Sequence, residues 1–147
     1  MKALLQRVSE ARVRVEGQVV GEIGPGLLVF LGVDQGDTRQ TAERLLDKTL
    51  NYRLFADKDD KMNLSLAQTQ GGLLVVSQFT LAANTHKGLR PGFSSAATPE
   101  LGQQLYDSFV AAAHRKHPRV ACGQFAANMQ VELINDGPVT FLLEVNS

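Results

Sequence analysis

Ala11, Val13 and Val15 alternate with Arg12, Arg14 and Glu16, a period of two that predicts a half-buried strand. Residues 2–8 read as a strand before it, and residues 19–23 return as the second arm of a hairpin after Gly17-Gln18. Gly24-Pro25-Gly26 reads as a turn. Residues 27–33 show no polar alternation, so they predict a strand buried on both faces. Asp37 or Thr38 then caps a helix reaching about Leu54, with Ala42, Leu45, Leu46 and Leu50 along one stripe. Residues 73–81 predict another apolar strand and 84–95 a long glycine-containing loop. Thr98-Pro99-Glu100 is a helix start, with the cap followed by proline at the first helical position. That helix carries Leu101, Leu105, Phe109 and Ala112 and ends before Pro118. Strands near 119–123, 128–134 and 139–145 complete the chain. With two principal helices and no strict βαβ alternation, the pattern predicts an α+β fold built on a mainly antiparallel, barrel-like sheet. In the last strand, Phe141-Leu142-Leu143 is apolar on consecutive positions, so both faces need covering, by a subunit interface or by an internal helix.

A length of 147 residues, 44% hydrophobic and 20% charged, fits one soluble globular domain over 1–147. No window approaches the roughly 18 apolar residues of a membrane span, and Lys2 and Arg7 interrupt the N-terminus too early for a signal peptide. A cytoplasmic location without membrane contact is the expectation. The single cysteine, Cys122, agrees with a reducing compartment and reads as a small strand residue. Fifteen basic residues balance fifteen acidic ones, which argues against a long grip on nucleic-acid backbone. Local basic patches remain at His86-Lys87-Gly88-Leu89-Arg90 and at His114-Arg115-Lys116-His117, the latter suited to a helix C-terminal turn. Asp57-Lys58-Asp59-Asp60-Lys61 lacks the glycine and glutamate of a calcium loop and reads as a solvated turn.

Two segments carry candidate chemistry. Ser77-Gln78-Phe79-Thr80-Leu81 follows the apolar run Leu73-Leu74-Val75-Val76, and Asn135-Asp136-Gly137-Pro138-Val139-Thr140 precedes Phe141-Leu142-Leu143. Each puts hydroxyl, amide and special-backbone residues where a buried sheet meets its edge. Together they resemble the signature of the D-aminoacyl-tRNA deacylases, proofreading hydrolases that strip D-amino acids from mischarged tRNA. The resemblance extends over essentially the whole chain, through Leu5-Gln6-Arg7-Val8, Gly24-Pro25-Gly26-Leu27-Leu28-Val29, Lys61-Met62-Asn63-Leu64 and Phe125 to Val131. Gly92 stands where the bacterial pattern has Ser, and Asn128 where it has Asp.

Neither signature segment holds His, Cys, Glu or Lys, and no metal-ligand spacing is present, so no metal or cofactor is expected. His86, His114 and His117 fit surface roles. An aminoacyl ester is already activated, and positioning alone is worth roughly 7–11 kcal/mol where alignment is excellent. Backbone N–H groups around Gln78, Phe79 and Thr80 are candidate oxyanion donors. Thr80 is the one hydroxyl with a plausible nucleophilic or water-orienting role, while Ser77 and Gln78 suit fixing the loop and the ribose. Phe79 suits either the core or a pocket wall. The resemblance implies a homodimer in which a Gly137-cis-Pro138 pair from one subunit enters the Ser-Gln-Phe-Thr site of the other and binds the α-ammonium through its carbonyls. It further implies Arg7 as support for that pair, Asn135 as a brace of the turn, and the aminoacylated 3′ end of tRNA as the partner. Glycyl-tRNA belongs in the same substrate class, since glycine has no β-carbon to exclude. Two other readings compete: a non-catalytic RNA-end or nucleotide-binding module on this fold, and a thiol or histidine hydrolase using Cys122, His86 or His114.

Overall fold

The computed structural model describes all residues, 1–147. Its spine is β1 (Lys2–Val15), one continuous strand where the sequence suggested two. The buried phase runs through Ala3 and Leu5, then slips to Val8, then again to Ala11 and Val13. Those slips, at two register shifts against the neighbouring strand, are what made the pattern look broken. Along one edge β1 pairs antiparallel with β3 (Gly26–Gly32) and β2 (Gln18–Ile23). Along the other it pairs antiparallel with β8 (Gln130–Glu144).

β6 (Gly72–Ser77) joins β3 in parallel, and β7 (Val120–Cys122) joins β6 in parallel, so the sheet is mixed. β2 then curls back towards β7: a β-carbon on Gly21 would collide with the Cys122 carbonyl, and this close approach nearly closes the barrel. α1 (Arg39–Asn51) and α3 (Pro99–Lys116) cover one outer face. A short hairpin of β4 (Phe55–Ala56) and β5 (Met62–Leu64) and the one-turn α2 (Leu66–Thr69) fill the link to β6, and the expected solvated turn lies in that hairpin.

There are two hydrophobic clusters, and consecutive residues of β3 serve both. Leu27, Val29 and Leu31 pack under the helices, whereas Leu28 points into the barrel interior with Val8, Val13, Leu74 and Val76. This double burial explains the unbroken apolar run. Thr38 caps α1 in a reciprocal box with Thr41, and the helix stops at Asn51 because Tyr52 is already extended, which lets Leu54 turn into the core. Asp37 instead meets the Met1 ammonium at 3.0 Å. His117, expected on the surface, is buried at the end of α3 with Nε2 2.6 Å from the Gly71 carbonyl oxygen, which would otherwise lack a partner at a crowded strand start. No helix is long and apolar enough to cross a membrane.

Candidate active site

β6 ends at Ser77, four residues before the predicted strand end. Gln78 leaves the extended region, and Phe79–Ala82 form a single 3-10 turn. The leading amides of such a turn, those of Phe79 and Thr80, have no acceptor within it. The turn is fixed from below: the Gln78 amide donates to Leu31 O at 2.8 Å, and Leu81 and Ala83 donate to the carbonyls of Gln78 and Thr80 at 3.1 Å. The Gln78 side-chain amide donates to the Thr80 hydroxyl. That bond uses a lone pair of Thr80 Oγ1 and leaves its proton free to point elsewhere.

Phe79 is 63% exposed, so it is not a core residue. It stands between two pockets. The larger, about 370 Å³, runs from Leu31, Val33 and Ser77 to Tyr106 on α3 and to Phe125 in the β7–β8 link. The second, about 290 Å³, is walled by Val76, Gln78, Met129 and Val131. Ser77, Phe79 and Ala126 border both. No carboxylate, imidazole, thiol or amine lines either one. Tyr106 donates its hydroxyl to Val75 O at 3.2 Å, and burial, with Cys122 alongside, pushes its pKa well above the usual tyrosine range. It is a neutral donor and not a base.

The second signature segment sits inside a strand rather than ahead of one. Gln6 pairs with Thr140 and Val8 with Asn135, so Asp136, Gly137, Pro138 and Val139 bulge out opposite Arg7 alone. Val139 is buried as the anchor, while Asp136, Gly137 and Pro138 are exposed. The Gly137–Pro138 peptide is cis. Gly137 has φ +133°, and a β-carbon there would meet Val139 Cγ2 at 2.6 Å and the Arg7 guanidinium at 3.2 Å, so only glycine fits. Asn135 spans the bulge, accepting from the Val139 amide at 2.8 Å and donating to Val139 O at 3.2 Å. Arg7 lies beneath, its Nη1 donating to Leu54 O at 2.9 Å and its Nε facing Asp136.

Within one chain the two segments stay apart. The bulge lies on the row Arg7, Leu27, Leu73, and the strand end lies on the row Ala3, Leu31, Ser77. That is three strand spacings across, roughly 14 Å, and four residues along, roughly 13 Å. No hydrogen bond joins them, and neither pocket beside Phe79 is lined by Gly137 or Pro138. His86 stands in an exposed loop, His114 on α3 and Cys122 on β7, all outside the two pockets.

The family model for D-Tyr-tRNA(Tyr) deacylase matches residues 4–144, both segments included. The chain belongs to that deacylase family. A relative from Azotobacter vinelandii named D-aminoacyl-tRNA deacylase is 60% identical over 98% of this chain and 99% of its own. One of the same name from Haemophilus influenzae is 59% identical over 99% of this chain and 100% of its own. Among solved structures, a protein described as c-Myc DNA Unwinding Element Binding Protein superposes with a TM-score of 0.95 at 39% identity over 100% of both chains. A probable eukaryotic D-amino acid tRNA deacylase gives a TM-score of 0.83 over 98% of both chains; at 18% identity this bears on the fold alone.

Several pocket-lining residues of this deacylase-family chain escaped the sequence reading. Behind the pocket wall, Phe93 packs against Phe79 with ring centroids 5.1 Å apart and planes tilted by 40°. Phe125, Ala126 and Tyr106 reach the pockets from β7–β8 and α3. Ala126 has φ +64°, a backbone setting unusual for a residue with a β-carbon, and nothing in its local sequence signals it.

Proposed function

We propose that this protein hydrolyses the ester of D-aminoacyl-tRNA, releasing free D-amino acid and tRNA, and that it rejects the L-aminoacyl ester. The observation that carries the reading is the character of the site: unpaired amides of Phe79 and Thr80 beside apolar pockets with no ionisable base. Such a site suits a substrate that brings its own activation. The ribose hydroxyl next to the ester orients or deprotonates the attacking water, and the Phe79 and Thr80 amides donate to the developing oxyanion. Thr80, its oxygen engaged by Gln78, is free to donate to the ester or the water. Ser77 and Gln78 hold the turn and face the ribose.

Chirality is read by groups that every amino acid shares, the α-amino group and the Cα hydrogen, through the exposed Gly137-Pro138 carbonyls. Roughly 14 Å by 13 Å of sheet separates that bulge from Thr80 in one chain, which supports a composite site assembled by two copies. In this homodimer each subunit inserts its bulge beside the other's Phe79–Thr80 turn. Ile134 and Leu142, 54% and 55% exposed on the outer face of β8, supply apolar surface for such a contact. Arg7 and Asn135 position the bulge, and the tRNA partner is held by its 3′ end.

Incubation with matched D- and L-aminoacyl-tRNA, with and without a chelator, tests the reading. Release of the D-amino acid alone, unchanged by the chelator, is the expected outcome. Tight tRNA binding without release would leave only a binding module, and loss of activity on alkylating Cys122 or on replacing His86 would favour a thiol or histidine hydrolase.

A further inference from the structure

We infer that the loop 84–95 is the track for the RNA strand leading into the Phe79–Thr80 site, with Lys87 and Arg90 neutralising two of its phosphates. This rests on the deacylase reading and extends it from the ester to the polynucleotide behind it.

A chain with as many acidic as basic residues has no overall field to attract a polyanion, so any affinity for nucleic acid must be local. Six of the fifteen basic side chains are already paired. Lys2, Arg7, Arg12, Arg14, Arg39 and Lys116 each face a carboxylate or carboxylates within 4.0 Å. Lys87 and Arg90 enter no ion pair, both are exposed, and no Asp or Glu occurs between Asp60 and Glu100. They form the one cationic pair in a long acid-free stretch of sequence.

The loop's place in the fold gives that charge a use. It leaves directly from the 3-10 turn carrying Phe79 and Thr80. Its neck is closed by two hydrogen bonds between Asn84 and Gly92, at 2.7 and 3.0 Å. Its return limb is tied to the site by the tilted Phe93–Phe79 ring contact and by Ser95 Oγ donating to Ala82 O at 3.1 Å. The tip, by contrast, stands in solvent: Leu89 is completely exposed, and Gly88 turns the chain with φ +65°. A fixed root and a free cationic tip match a strand whose terminal residue is seated at Phe79 and whose phosphates run outward past Lys87 and Arg90. Arg90 suits a phosphate in particular, since its planar fork donates to two oxygens at once.

The test compares the parent protein with Lys87→Ala/Arg90→Ala on D-aminoacyl-tRNA and on the D-aminoacyl ester of adenosine, which has no phosphate. Binding of uncharged tRNA is measured in parallel over a salt series. The expected result is a rise in KM of about tenfold on the tRNA substrate with kcat unchanged, and no change on the adenosine ester. The slope of log affinity against log salt becomes shallower by about 1.4, near 0.7 for each single-strand phosphate that is no longer neutralised. Arg115→Ala, an exposed arginine on α3, leaves the slope unchanged. An equal rise in KM on both substrates, an unaltered slope, or the same effect from Arg115→Ala overturns the inference. If the parent cleaves neither ester, the deacylase reading fails, while the tRNA isotherms still decide whether the loop binds phosphate. An equal melting temperature in the variants confirms that a change in slope is not unfolding.

Discussion

Arg7 donates through Nε to the main-chain oxygen of Asp136 at 3.1 Å, and the same guanidinium holds Leu54 O at 2.9 Å. One side chain thus ties the exposed Gly137-Pro138 bulge to the segment following α1. Lysine keeps the charge but offers one point where the guanidinium spans two directions. Arg7→Lys is expected to lose about tenfold in kcat/KM for the D-ester and to narrow the D/L ratio, because the bulge is held less firmly. Arg7→Ala also forfeits hydrogen bonds from a charged group, worth about 2 kcal/mol of stability. Full activity with unchanged D/L selectivity in Arg7→Lys would show that Arg7 only packs.

Thr80 gives a sharper contrast. Gln78 donates to its hydroxyl, which fixes the oxygen and leaves one proton to offer. Thr80→Ser keeps that hydroxyl and Thr80→Val keeps only the shape, so the serine variant should retain more deacylase activity, by about tenfold or more. Single-turnover rates at equal folded fraction decide it; equal rates would exclude a part for the hydroxyl.

How much of this was legible in the sequence depended on whether the signal was local. The alternation of residues 11–15 and the Thr98-Pro99 cap are short-range patterns, and both appear as read. The unity of β1 was hidden because its buried phase slips near Arg7 and Glu10, a consequence of strand pairing rather than of composition. A Gly-Pro pair argues against a strand interior, yet β8 runs through it by looping four residues out opposite one. Phe79 and Thr80 favour strand by propensity, and the 3-10 turn there reflects tertiary packing against β3, where Gly32 leaves room for Leu81. Both signature segments were visible as residue types. The pocket walls come from sequence-distant elements: Phe125 and Ala126 stood in a block that carries the resemblance, but nothing local placed them, or Tyr106, beside Phe79.

The exposed face of β8 predicts an obligate association. Ile134 pairs with Glu10 and Leu142 with Leu4, so both project from the outer side of the β1–β8 ribbon. Ile134→Asp with Leu142→Asp should leave the fold intact, since neither side chain is buried in the monomer, but yield a monomer by sedimentation and abolish D-ester cleavage. A fully active monomer at assay concentration would remove the composite site.

Tyr106 sets an alkaline limit on stability. Burial raises its folded-state pKa above the ordinary 10.0, so the neutral phenol is favoured in the fold. That contribution is fully present below pH 10.0 and is lost as pH rises beyond it, because the unfolded chain ionises first. Tyr106→Phe should lower stability at pH 7 by about 1 kcal/mol through the missing bond to Val75 O, and should flatten the decline above pH 10. Urea titrations at neutral and alkaline pH read both effects; an unchanged alkaline slope in the variant would assign that decline to other groups.

The chiral filter has a limit that follows from how it works. If the L-residue is refused because its side chain meets the Gly137-Pro138 backbone, what is sensed is a β-carbon on the wrong side. The bulge is poorly able to yield, with Val139 buried, Asn135 bonded across it and Arg7 beneath it. Glycine presents only hydrogens to that wall, so a pocket that takes the shared amino group of D-residues also takes glycyl-tRNA. L-Alanyl-tRNA differs by one methyl group. A hydrophobic pocket discriminates a methylene by only about 1–3 kcal/mol, whereas collision with a braced backbone exceeds that. Time courses with both substrates at matched enzyme concentration should therefore show cleavage of glycyl-tRNA and at least a hundredfold slower cleavage of L-alanyl-tRNA, about 3 kcal/mol in the transition state. Comparable rates, or resistance of glycyl-tRNA, would mean that chirality is read by something other than exclusion at the bulge.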